Sequence, residues 1–224
     1  MPLHPSLLTP SLALYALTVA LSTLVSAILY RRIWLRLRSD GVTPTGFGLL
    51  LAPVMFCAAL ISGASSALIA ALAIICMVTL IFWIDDLVHV SALLRLLVSF
   101  LAGLGIGLVY GFEQAWGWPV LVAFVLAAGV VSVVLTNMVN FCDGADLNLA
   151  SFIALTGAMI LLFTPPDRDW VPIAVGALAF TLPFALMNSR PRTLYLGDSG
   201  SFAFAGLLTA MAVAFVQNFE NIAP

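Results

Sequence analysis

Lysine is absent from the 224 residues, and charge of either sign is scarce: eight arginines and ten acidic residues make up 8% of the chain. A soluble domain is about a quarter charged, so these few groups cannot cover a water-facing surface. Cysteine is sparse too. Cys57, Cys76 and Cys142 form no CxxC and lie in or beside apolar segments, which indicates neither a disulfide framework nor a zinc site. There is no repeat with a period of about 20–50 residues, no low-complexity tract and no linker long enough to divide domains. A net charge of −2 implies no polyanionic partner, nucleic acid included. What is present is apolar: 63% of the residues are hydrophobic and the mean hydropathy is +1.17. The apolar runs come as helix-length blocks rather than the short alternating segments of an outer-membrane barrel. Composition therefore excludes a soluble enzyme, a nucleic-acid binder and a disordered chain. It specifies an all-α fold, a polytopic transmembrane helix bundle.

A bilayer core needs about 20 apolar residues in helix. Eight spans are expected, over residues 11–30, 47–62, 64–84, 92–110, 119–136, 147–164, 171–187 and 202–216, with the second and last short. The first is no cleavable signal peptide, because its arginines follow the apolar run instead of preceding it. Arg31, Arg32, Arg36 and Arg38 come after span 1, and the positive-inside rule makes that loop cytoplasmic and the N-terminus external. Alternating the spans then places Arg95, Arg190 and Arg192 inside as well and leaves only Arg168 outside. Trp116, Trp118 and Trp170, in the outer loops, read as interfacial anchors.

Six acids fall on the inner side: Asp40, Asp85, Asp86, Asp143, Asp146 and Asp198. Five of them lie at the ends of spans 3, 5 and 7 or in the loops that follow. A lone acid at a helix end is readily a cap, but five converging on one face demand a cation. Oxygen-only ligands favour Mg²⁺ or Mn²⁺ over zinc. Asp85-Asp86 close span 3, and Arg95 starts span 4 at the same boundary. Asn137, Asn140, Asp143 and Asp146 recur every third position, which aligns them along one helix face, with Gly144 permitting a turn. Asp198 stands just before span 8 among glycines and hydroxyls, where free N–H groups can receive a phosphate.

These residues carry a resemblance. Asp85-Asp86 with Ser91 and Arg95, the run Asn137-x-x-Asn140-x-x-Asp143-Gly144-x-Asp146, and Tyr195-Leu196-Gly197-Asp198-Ser199-Gly200-Ser201 with Asn188 upstream resemble, in order and in span position, the polyprenyl-phosphate N-acetylhexosamine-1-phosphate transferases of glycosyltransferase family 4. The resemblance runs from about residue 30 to 216. It implies a phosphotransferase that moves a sugar 1-phosphate from a UDP-linked N-acetyl sugar to undecaprenyl phosphate and releases UMP, starting a cell-envelope glycan such as peptidoglycan or lipopolysaccharide. It implies that Asp198 and the carbonyl of Asn140 hold Mg²⁺, with Mn²⁺ as the substitute. Asp85, with Asp86, would deprotonate or position the lipid phosphate. Asp146 and Tyr195 would contact the uracil, while Asp143, Asn188, Arg95, Asn137 and Gly197 line the phosphate and nucleotide path. The setting is a bacterial inner membrane with the site on the cytoplasmic face; the expected partners are the two substrates and the lipid bilayer, with room for a homodimer.

The chain departs from the family pattern in three places. Leu147-Asn148-Leu149-Ala150 follows Asp146 where the family has Gly-Leu-Ala. The first cytoplasmic loop is short, and its Pro44-Thr45-Gly46-Phe47-Gly48 loosely echoes a family Pro-Thr-x-Gly-Gly; so small a loop argues against a large peptide-bearing sugar. The family's histidine-rich loop comes two spans after the last one here, so residues 1–224 are expected to form a single membrane domain without it, with His89 a local loop residue. Three other classes compete. An ion-coupled transporter would carry acids at the bilayer midplane and broken spans, and the span centres here are nearly free of charge. A prenyltransferase would need two Asp-rich helices, and an aspartyl protease two aspartates within the bilayer.

Overall fold

A computed structural model describes residues 10–37, 43–88, 90–143, 147–163, 169–189 and 193–219. Each expected span is a helix: α1 (Pro10–Leu37), α2 (Leu51–Ser62, entered through a 3-10 turn Phe47–Leu50), α3 (Ser66–Leu87), α4 (Ala92–Gly111), α5 (Trp118–Cys142), α6 (Asn148–Phe163), α7 (Trp170–Asn188) and α8 (Gly197–Phe219). No strand occurs among the described residues. The protein is an all-helical, multi-pass membrane protein. Six helices are long and apolar enough to cross a bilayer; the segments Phe47–Ser62 and Asn148–Phe163 are shorter.

Local signals set the boundaries. Ser65 and Ser91 cap α3 and α4 by accepting from the N–H groups of Leu68 and Leu94. Gly63, at φ +67°, ends α2 in the left-handed conformation. Helices α1 and α3 outlast the apolar runs that identify them. Arg31, Arg32 and Arg36 therefore ride on the last turns of α1 rather than in a loop, and Asp85 and Asp86 sit in the last turn of α3. Helix α8 starts five residues earlier than expected from its apolar run, so Asp198 belongs to its first turn and does not precede it. The reason is that a glycine–serine stretch, poor in hydropathy, takes helical form once its N–H groups are satisfied from another helix.

Two helices organise the bundle. Helix α8 packs against α3, α4, α5 and the 3-10 turn, and α7 against α1, α2 and α6. Helix α1 turns Leu14, Leu17, Leu21, Val25 and Leu29 outward, an apolar face suited to lipid rather than water. Helices α4 and α5 meet through small residues: a Cβ on Gly103 would lie 2.5 Å from Ala128 O, and one on Gly107 2.8 Å from Ala128 Cβ. Such spacing brings membrane helices into close backbone contact.

Candidate active site

The helix ends that carry the acids gather at one end of the bundle, as direct contacts between them show. Asp85, at the end of α3, is 5% exposed. Its Oδ1 accepts from the Val90 N–H at 2.7 Å. Arg95, in the first turn of α4, places Nη1 3.0 Å from Asp198 Oδ2 on α8 and Nε 2.9 Å from Asp85 Oδ2. The Nε hydrogen is directed at Val90 O, so the contact with Asp85 is ionic only, and Asp85 Oδ2 is a buried oxygen with no hydrogen-bond donor. Asn140, near the end of α5, donates to Asp198 Oδ1 at 2.9 Å. Four helices thus deliver Asp85, Arg95, Asn140 and Asp198 to one spot.

Asp86 faces elsewhere. Successive residues on a helix point about 100° apart, given about 3.6 residues per turn, and Asp86 reaches the start of α8 instead. Its Oδ1 accepts from the Asp198 N–H at 2.9 Å and from the Thr45 hydroxyl at 3.3 Å. Its Oδ2 accepts from the Ser199 N–H at 3.1 Å. The extended segment before the 3-10 turn lies alongside the one that leads into α8. Tyr195 N–H donates to Pro44 O, and the N–H groups of Phe47 and Gly48 donate to the carbonyls of Tyr195 and Leu196. A Cβ on Gly48 would overlap the backbone of Gly200, so only glycine allows this clasp.

Asp143 follows the last turn of α5 and accepts from Ser201 Oγ at 3.1 Å. Burial pushes its carboxyl up to about 7; Ser201 lowers it, and the nearby charges of Asp198 and Asp86 raise it further. Asn137 donates to Val133 O on its own helix. It lines a cavity of about 360 Å³ with Arg95, Asn140, Leu96, Phe141 and Phe202. The exposed Phe141 and Leu96 bring that cavity to the outer face of the bundle.

Asn188, expected to line the nucleotide path, closes α7. The residue is 3% exposed, its amide donates to Leu194 O, and its carbonyl accepts from the Leu147 N–H. A buried amide engaged at both ends pins the segments before α8 and α6 together. Gly197, at φ +74°, has a packing role of its own, since a Cβ there would overlap Asp86 Oδ1. Tyr195 is held by its backbone beside Pro44 and Phe47. Asp146 and Gly144, together with Asp40, His89, Arg38, Arg190 and Arg192, lie outside the described residues.

Thr45 and Ser201, which the sequence shows only as members of motifs with no role of their own, join the acids to the bundle, and Tyr30, outside any motif, donates to Thr45 O at 2.6 Å. The glycines of Pro44-Thr45-Gly46-Phe47-Gly48 were the available signal. Among the described residues no three His, Cys, Asp or Glu side chains converge as a cation cage. Two carboxylates and an amide do converge, one carboxylate oxygen lacking a donor. The two carboxylates are of the kind Mg²⁺ takes, but here Arg95 bridges them and Asn140 turns its NH2 group to Asp198.

A sequence profile described as glycosyl transferase family 4 matches residues 66–216. Over 109 residues the chain is 32% identical to the phospho-N-acetylmuramoyl-pentapeptide-transferase of Bacillus licheniformis, a stretch covering 48% of this chain and 32% of that protein. The enzyme of the same name from Geobacillus thermodenitrificans is 31% identical over 109 residues, with the same shares. That from Bacillus pumilus is 31% identical over 104 residues, 46% of this chain and 30% of the relative. The matched stretch thus spans about a third of the length of these relatives.

Proposed function

Because the chain belongs to glycosyl transferase family 4, we propose that it transfers an N-acetylhexosamine 1-phosphate from a UDP-sugar to undecaprenyl phosphate, on the cytoplasmic face of a bacterial inner membrane. In this reaction an oxygen of the lipid phosphate attacks the β-phosphorus of the UDP-sugar. The bond from that phosphorus to the bridging oxygen breaks, and UMP leaves with the oxygen. Phosphoryl transfer of this kind depends on in-line placement and charge neutralisation.

The observation that carries the reading is the meeting of Asp85, Asp198, Asn140 and Arg95 beside a cavity with exposed apolar side chains at its rim. Asp85 receives the proton of the lipid phosphate or orients that phosphate. Arg95 faces the phosphates with a planar fork of N–H donors that suits phosphate oxygens. The exposed Leu96 and Phe141, with buried Phe202 behind them, take the first part of the prenyl chain. Asp198 and Asn140 would hold Mg²⁺, or Mn²⁺ in its place, which supplies charge neutralisation on the pyrophosphate. Asp143 and Asn137 flank the nucleotide's path, and Asp146 and Tyr195 are assigned to the uracil.

The test is transfer of label from radiolabelled UDP-GlcNAc to undecaprenyl phosphate in detergent with Mg²⁺. Butanol-soluble label together with UMP supports the reading. A parallel reaction with UDP-N-acetylmuramoyl-pentapeptide, the group in the relatives' name, decides the sugar. No label with either donor, from folded protein, refutes the transferase assignment.

A further inference from the structure

We propose that Asp86 is a positioning residue: together with Thr45 it caps the N-terminus of α8 from outside that helix and so sets where Asp198 stands. The first N–H groups of any helix lack intrahelical partners. Before α8 the chain supplies Leu194, Tyr195 and Leu196, and the helix opens on Gly197; none is a side-chain cap. The cap comes instead from α3, more than a hundred residues away in sequence. Both carboxylate oxygens of Asp86 are committed to it, one to Asp198 N–H and the other to Ser199 N–H, where a helix end favours negative charge.

The cap is itself held. The Thr45 hydroxyl donates to Asp86 Oδ1, the Thr45 carbonyl accepts from Tyr30 on α1, and Trp83 on α3 donates to the Tyr30 hydroxyl at 3.4 Å. Gly46 and Gly197 take positive φ on either side of the carboxylate, and a Cβ on Gly46 would come within 3.2 Å of Asp86 Oδ2. Three elements therefore converge on one carboxylate that points at a helix end, while its neighbour Asp85 faces Arg95. The side chain of Asp198 leaves the same turn toward Arg95 and Asn140, so a shift of that turn moves the carboxylate assigned to the cation.

Hydrogen–deuterium exchange of the full chain in detergent, read on the peptide spanning 194–203, tests the cap, with turnover measured on the same preparations. Asp86→Ala and Thr45→Val should raise exchange there, the first on the order of tenfold, as loss of a cap frees the first turn. Asp86→Asn keeps one accepting oxygen, but its NH2 group must face one of the two N–H donors, so its exchange should fall between those of the parent and Asp86→Ala. Turnover should fall in step with the rise in exchange across the three variants, because a positioning residue acts only through the turn that carries Asp198. Unchanged exchange in Asp86→Ala overturns the cap. If Asp86→Ala does not fold, unchanged exchange in Thr45→Val does so. Turnover lost in Asp86→Asn but kept in Thr45→Val at matching exchange makes Asp86 a direct participant and overturns the positioning role. Only the turnover arm rests on the transferase reading: a parent chain without activity refutes that reading and leaves the exchange result to decide the cap.

Discussion

Leu147 occupies the position where the family pattern has glycine, and its φ is +60°. A side chain in that region costs roughly 1–2 kcal/mol. The conformation is held because Leu147 N–H donates to the buried Asn188 and the Asn148 amide donates to Cys142 O. Leu147→Gly should therefore stabilise the protein by roughly 1 kcal/mol, seen as a higher unfolding temperature in detergent; a lower one would show that the leucine side chain contributes more by packing. Asp143 allows a pH prediction. Its folded value, about 7, lies above the unfolded value of about 3.9, so the native state binds the proton more tightly. The stability linked to that proton is present below about pH 4 and is lost as pH rises toward 7. In metal-free protein the unfolding-temperature advantage of Asp143→Asn should grow from pH 5 to pH 8, and an advantage independent of pH would contradict the assignment. Asp198→Asn keeps the side chain's volume while removing charge beside Asn140. It should lower turnover by at least about 10²-fold with the fold retained, and near-parental turnover at low Mg²⁺ would remove Asp198 from the cation's shell.

At the scale of elements, glycines decide which helices can touch. On α4, Gly103 and Gly105 are two residues apart with opposite surroundings. A Cβ at 103 meets Ala128 O at 2.5 Å, whereas one at 105 meets the end of the Ile74 side chain at 3.1 Å. Gly103→Ala should destabilise by about 1–3 kcal/mol through overpacking against backbone. Gly105→Ala should be neutral or stabilising, since alanine is the better helix former by about 1 kcal/mol. Thermal unfolding of the two variants in the same detergent checks this, and equal effects would mean that α4 and α5 are not so closely packed. The same logic holds at Gly48, where the clasp against Gly200 joins the start of α2 to the start of α8.

For the whole molecule, the arginine asymmetry and the gathering of α3, α5 and α7 ends with α4 and α8 starts agree on one active end. With Cys57, Cys76 and Cys142 replaced, single cysteines at Ser91 and Ser189 should resist an impermeant thiol reagent applied to intact cells, while one at Gln114 should react. Labelling at Ser189 from outside would invert the topology and move the site with it. Ser201 cannot report in this experiment, because it is fully buried.

Composition and hydropathy alone determined that this chain is a helical membrane bundle, because 63% hydrophobic residues in helix-length runs have no other stable solution in lipid. The spacing of Asn137, Asn140 and Asp143 likewise determined a polar face at the end of α5, since helical period is a local property. Helix ends were less legible: the charged turns of α1 and α3 and the glycine–serine start of α8 continue past the hydropathy signal. What only the tertiary structure decided is the division of labour between neighbours. Asp85 and Asp86 are adjacent and chemically identical, yet one faces Arg95 and the other the first N–H groups of α8. Asn188 matches a motif, yet its amide is spent on two backbone segments. Thr45 and Tyr30 join the site through partners distant in sequence. A side chain's partners depend on which helices meet and at what rotation, and one chain of residue types does not carry that information until the bundle is packed.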